Sequence, residues 1–182
     1  MTRWFFTVRQ RFTPSQIEDW QSYIKFSGFV HITEVVTLDS ILCPDLIDHL
    51  IDEDWSHNIQ ADYRTTWFTD LAYLRQRISP TDQNQLLAIL EQPTHIHKVL
   101  PGFNFCGFDI LDDYDSNSLL TNFDPFSGIF SPSDVNQFGL LSDPEHANAI
   151  AAQLRSSLPD DPHCCNCRVW QIARNVELNA GP

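Results

Sequence analysis

Apolar positions along the chain recur with two periods, and the switches between them outline the elements. Trp4, Phe6 and Val8 alternate with Phe5, Thr7 and Arg9, the period-two pattern of a strand with one face on a core. Thr13-Pro14-Ser15-Gln16 can cap a helix over 14–26, along which Ile17, Trp20 and Ile24 form an apolar stripe that stops at Gly28. The β-branched run from Phe29 to Leu38 predicts a second strand, with room for a bulge near Glu34. Cys43-Pro44 opens a second helical region, in which Leu46, Ile47, Leu50 and Ile51 oppose Asp45, Asp48, His49, Asp52 and Glu53. Trp67, Leu71, Leu74 and Ile78 mark a third helix over 63–78. Thr81 or Asp82 starts a short helix that runs through Leu90 and ends by Pro93.

The second half follows the same logic. Phe103 to Asp112 is the third strand, and 113–130 is a long irregular stretch with a large apolar content. Ser131-Pro132-Ser133-Asp134 caps a short helix that stops at Gly139. Asp143-Pro144-Glu145 starts the last helix, over 144–157, with Ala147, Ile150, Ala151 and Leu154 inward. The cysteine-rich segment 162–174 reads as a fourth strand. Strands separated by helices predict one α+β domain over 1–176, with α/β as the alternative, and a frayed tail over 177–182. About four strands form one sheet, covered by roughly four to six helices, chiefly those at 14–26, 63–78 and 144–157.

Composition adds the surface. The 182 residues carry 24 Asp plus Glu against 11 Lys plus Arg, a formal charge of −13, with 13 Phe and 5 Trp. That field repels phosphates and anionic headgroups, so the sequence points away from nucleic acid and membrane and towards a cation or a basic protein. No apolar run reaches the length of a secretory leader or a membrane span. Five cysteines are an odd count in a chain large enough to fold without staples, which implies free thiols in a reducing cytoplasm.

Three groups of residues could carry chemistry. Cys164 and Cys167 have the C-x-x-C spacing, and with His163, His95 and His97 they could assemble a two-plus-two zinc set. The bland alternative is a reduced structural cysteine cluster. A redox role fits less well, because the motif leads into a strand rather than a helix N-terminus. His49, Glu53 and His57 would share one helix face, as would any solvated acidic surface. Asp109, Asp112, Asp113, Asp115 and Asp124 cluster around the end of the third strand. They could act as acid and base, or simply build an Asx-rich turn. Phosphate-cradling loops and a nucleophile elbow have no counterpart in the sequence.

Leu120-Thr121-Asn122-Phe123, Phe138-Gly139-Leu140-Leu141, Leu158-Pro159 and the positions His163, Cys167, Trp170 and Arg174 together resemble an uncharacterised bacterial family seen often in cyanobacteria. Trp55, His57, Asn58 and Tyr63 fit the same pattern. The resemblance covers most of the chain and implies a stand-alone cytoplasmic protein, with no activity, ligand or catalytic residue attached.

The functional expectation is therefore a non-catalytic protein that binds another protein, of inhibitor, immunity or adaptor type. It would use Phe123, Phe126 and Phe130 as aromatic anchors inside an acidic rim of Asp112, Asp113 and Asp115. It would need no cofactor. The alternative is a small zinc-binding protein or a hydrolase-like enzyme built on the Asp, His and Cys residues.

Overall fold

The structure is a computed structural model that describes residues 3–10, 19, 21–22, 28–29, 31–38, 59–62, 65–77, 84–112, 117–121 and 128–176. Its centre is a six-stranded sheet of β1 (Phe5–Gln10), β2 (Ile59–Asp62), β3 (Thr65–Phe68), β4 (Asn84–Glu91), β5 (Phe103–Leu111) and β6 (Arg168–Asn175). The spatial order is β2-β3-β1-β4-β6-β5. Every neighbouring pair is antiparallel. The described residues include α1 (Leu71–Arg77), α2 (Pro144–Ser157) and a 3₁₀ turn at Pro132–Asp134, and Asp19, Gln21 and Ser22 are helical as well.

This corrects the expected architecture. A four-stranded sheet under four to six helices is replaced by a larger antiparallel sheet, with two helices named among the described residues. The main reason is β4. Leu86, Leu87, Ala88 and Ile89 are all fully buried, because this central strand is covered on both faces. Such a strand reads as a continuous apolar run, which periodicity cannot tell from a buried helix. The helix expected through Leu90 is therefore a strand. The helix expected over 63–78 is half strand as well. Trp67 belongs to β3 and stacks on Trp170 of β6, with ring centroids 4.8 Å apart. The helix begins only after Asp70, whose carboxylate accepts from the Ala72 and Tyr73 amides at 2.8 and 3.2 Å.

The strand expected over 29–38 forms no ladder, yet Phe29, Ile32, Val35, Val36 and Leu38 are all buried. Its backbone is satisfied piecemeal: the Thr33 and Glu34 amides donate to Gln137 O, and the Val36 amide donates to Phe138 O. The expected strand at the start of the chain is present, but both of its faces are buried, Phe5 and Thr7 included. The strand expected over 162–174 starts only at Arg168, because 162–167 is a series of turns. The helix expected over 144–157 is α2, capped by the Asp143 carboxylate, which accepts from the His146 amide. The short helix after Ser131 is reduced to the 3₁₀ turn, closed by a reciprocal Ser131–Asp134 capping box. Of the helix expected over 14–26, Asp19, Gln21 and Ser22 are described and are helical; the rest of it, the helical region after Cys43-Pro44 and the 177–182 tail lie outside the described residues.

The core has two parts. One joins Phe6, Val8, Phe68, Leu74 and the β4 residues to Trp170 and Ile172. The other seats α2, through Ala147, Ile150, Ala151 and Leu154, against Phe108 and Ile110 of β5 and Val169 of β6. The register places Thr7, Arg9, Gln85, Leu87 and Arg174 on one sheet face. Segment 31–38 closes over that polar seam. Glu34 accepts from the Gln85 amide at 2.7 Å and pairs with Arg174, while the Arg9 guanidinium donates to Val35 O.

Candidate functional site

The turns at 162–167 connect α2 to β6, and chemistry-bearing side chains lie on both sides of them. On one side is a buried carboxylate pair. Asp109 is fully buried. Its Oδ1 accepts from the Ser118 hydroxyl at 2.6 Å and the Ile110 amide at 2.9 Å, and its Oδ2 accepts from the Leu38 amide at 2.7 Å. One residue of β5 thus anchors both the 31–38 segment and the 117–121 loop. Asp112, just past the strand end, accepts from the Asn117 amide at 3.1 Å and lies 2.9 Å from His163 Nδ1. The Asp112 side chain is wholly buried, while His163 keeps 26% of its side-chain surface exposed. A buried carboxylate that orients a half-exposed imidazole is the arrangement of a positioned general base.

The thiols nearby are in a different state. Cys164 and Cys167 are buried and Cys165 is part-exposed, and all three are free. Burial, aided by the charge of Asp161, pushes the Cys164 thiol up to about 12. Burial pushes the Cys167 thiol up to about 11 against the pull of Arg155, and Cys167 Sγ donates to Ala151 O at 3.7 Å. Thiols held protonated in this way are poor nucleophiles, since the thiolate is the reactive form. The His95 and His97 rings lie 4.0 Å apart, tilted at 31°. Desolvation, and then the charge of His95, holds the His97 imidazole below its ordinary value. The His97 backbone is clamped by Gln171, whose side chain donates to His97 O and accepts from its amide, both at 2.8 Å. Among the described residues no three His, Cys, Asp or Glu side chains come together as a metal site.

On the other side of the turns is a polar cleft of about 480 Å³. The α2 helix contributes Asn148 and Arg155, the turn after β4 contributes Gln92 and Thr94, and the entry to β6 contributes Asn166 and Arg168. Arg155 donates to Cys167 O at 2.7 Å, and Arg168 donates to Glu91 Oε1 at 2.6 Å. Gln92 has φ of 47°, a left-handed conformation uncommon outside glycine, which a non-glycine residue adopts at an energetic cost.

Of the partner-binding residues expected from the sequence, the structure describes Phe130 and Asp112. Phe130 is buried in the second part of the core, and Asp112 is buried against His163. Phe123, Phe126, Asp113 and Asp115 lie outside the described residues, as do His49, Glu53, His57 and Asp124. The cysteine-centred reading of 162–174 passes over Asn166 and Arg168, which flank Cys167. One signal for the cleft is local: Asn148 and Arg155 are two turns apart on the polar face of α2. The other is not, because only the sheet topology brings residues 92–94 beside 166–168.

Compared with known proteins, the chain matches no family model, no curated protein and no solved structure. No helix among the described residues is long and apolar enough to cross a membrane.

Proposed function

We propose that this is a non-catalytic protein of the cytoplasm that acts by binding a basic protein, as an inhibitor, immunity or adaptor protein would. The observation that carries this reading is the net charge of −13, together with what the fold does with its cations. Arg9, Arg168 and Arg174 are engaged with Val35 O, Glu91 and Glu34 of the same chain, so these three do little to offset the acidic surface elsewhere. A surface of one sign steers an oppositely charged partner and makes the association salt-sensitive. With Phe130 in the core, the aromatic anchors of this reading narrow to Phe123 and Phe126, and its acidic rim to Asp113 and Asp115.

A second reading is supported by the Asp112–His163 pair, which has the form of an oriented base and suits a hydrolase-like reaction. Affinity capture from a lysate at low and high salt, with the wild type and a Phe126→Ala variant, separates the two. A stoichiometric basic partner, lost at high salt and weakened by Phe126→Ala, is the expected result. No partner at low salt, together with an esterase or amidase turnover abolished by His163→Ala, would replace the binding reading with the enzymatic one.

A further inference from the structure

The polar cleft between α2, the turn after β4 and the entry to β6 stands against the charge of the whole molecule. Acidic side chains outnumber basic ones 24 to 11 in the sequence, yet two guanidiniums and no carboxylate line this cleft. Its volume of about 480 Å³ falls in the range of sites for small molecules. We propose that the cleft binds a small oxyanion ligand, a carboxylate or phosphate that also carries a hydroxyl or amino group. This proposal does not depend on a protein partner.

The chemistry of the lining residues sets the class. A guanidinium presents five N–H donors in a fixed fork suited to carboxylate and phosphate oxygens. Arg155 commits Nη1 to Cys167 O, a contact that fixes the side chain at the cleft wall and leaves other donors for a ligand. Arg168 is held by Glu91, and its side chain keeps 43% of its surface exposed. The second half of the ligand is read from Asn148. Both hydrogen-bond partners of its side-chain nitrogen are carbonyl oxygens, Pro93 O at 3.1 Å and Pro144 O at 2.8 Å. A carbonyl can only accept, so the amide NH₂ faces these two oxygens and Oδ1 is the acceptor. An acceptor beside two guanidiniums favours a ligand that bears a donor next to its anionic group. Asn166 and Thr94 add neutral polar contacts at the rim.

The test is isothermal titration of the purified chain with inorganic phosphate, malate and succinate. Malate and succinate differ by one hydroxyl. The expected result is saturable one-to-one binding of phosphate or malate, with succinate weaker than malate. Affinity should fall about tenfold or more in Arg155→Gln and in Arg168→Gln, the loss expected for one charge-assisted contact. Arg75→Gln, which removes an exposed cation on α1, should leave binding unchanged. If Arg155→Gln does not fold because Cys167 O loses its donor, Asn166→Asp puts a carboxylate in the cleft without breaking a bond seen in the structure, and should weaken binding in the same way. Phosphate binding alone or malate binding alone identifies the source of the oxyanion. The proposal is overturned if neither ligand binds below about 10 mM, if succinate binds as well as malate, or if Arg75→Gln weakens binding as much as the cleft variants do.

Discussion

Asp109 is an acidic residue between the apolar Phe108 and Ile110 of β5, and its place there follows from what it holds. Three donors from three parts of the chain converge on its two oxygens, and none of them has access to water. Removing the acceptor takes this partner from a buried hydroxyl and two buried amides, and each such loss carries a desolvation penalty. Asp109→Ala should therefore lower the unfolding free energy by about 3–5 kcal/mol, at the upper end for single substitutions. Asp109→Asn, which keeps one acceptor oxygen but turns an NH₂ towards existing donors, should recover little of it. Urea titration of both variants checks this. A loss in Asp109→Ala no larger than that of an exposed control such as Asp160→Ala would show that the network is not a stabilising one. Sequence composition alone does not distinguish Asp109 from the aspartates that follow it. All of them suit an Asx-rich turn, and only the pairing of β5 with β6 shows which one points into the protein.

At the scale of elements, legibility in the sequence tracks exposure. The α2 helix has one wet face and one dry face, so its stripe and its cap are both readable. Its N-terminus rests on Asp143, whose Oδ1 accepts from the His146 amide at 2.7 Å. Asp143→Ala should cost about 1 kcal/mol, seen as a lower denaturation midpoint with an unchanged denaturant slope. An unchanged midpoint would mean that Pro144 at the first helical position is sufficient to start the helix. The β4 strand has no wet face and lacks the alternation that would have identified it. Its Leu and Ala content adds a helical bias that tertiary pairing overrides. Segment 31–38 fails in the opposite direction. Its β-branched residues promise a strand, but Arg9, Asp109, Gln137 and Phe138 supply its backbone partners one at a time. The cleft was legible only on its helical side, because its other walls depend on strand order.

For the whole molecule, the buried thiols link stability to pH. Cys106 and Cys167 are each pushed up to about 11 and Cys164 to about 12, in every case mainly by burial, from an ordinary value of 9.0. These groups stay protonated in the native state at pH values where the unfolded chain has begun to lose the same protons. The unfolded state then binds fewer protons, so stability falls as pH rises. The contribution is complete below pH 9 and is lost progressively as pH rises towards about 11–12. The melting temperature should decline over that interval, and the decline should be shallower in Cys106→Ala and Cys164→Ala, whatever their absolute stability. An identical alkaline slope in these variants would assign the effect to other groups. In a Cys43→Ser background at neutral pH, a thiol reagent should modify Cys165 quickly and the other three only on unfolding.

The strand order has a consequence for how the chain is made. β6 lies between β4 and β5, although both precede it in sequence. On the ribosome, two of the most apolar strands emerge with the space between them unfilled, and neither can complete its hydrogen bonding until residues 168–175 arrive. Nascent chains of this protein therefore pass through an interval with two open, sticky edges, the form most exposed to edge-to-edge aggregation. Closing the sheet then depends on long-range pairing, a slow class of folding step. Synthesis rate and chaperone capture should matter more to the yield of this protein than the stability of its finished fold would suggest.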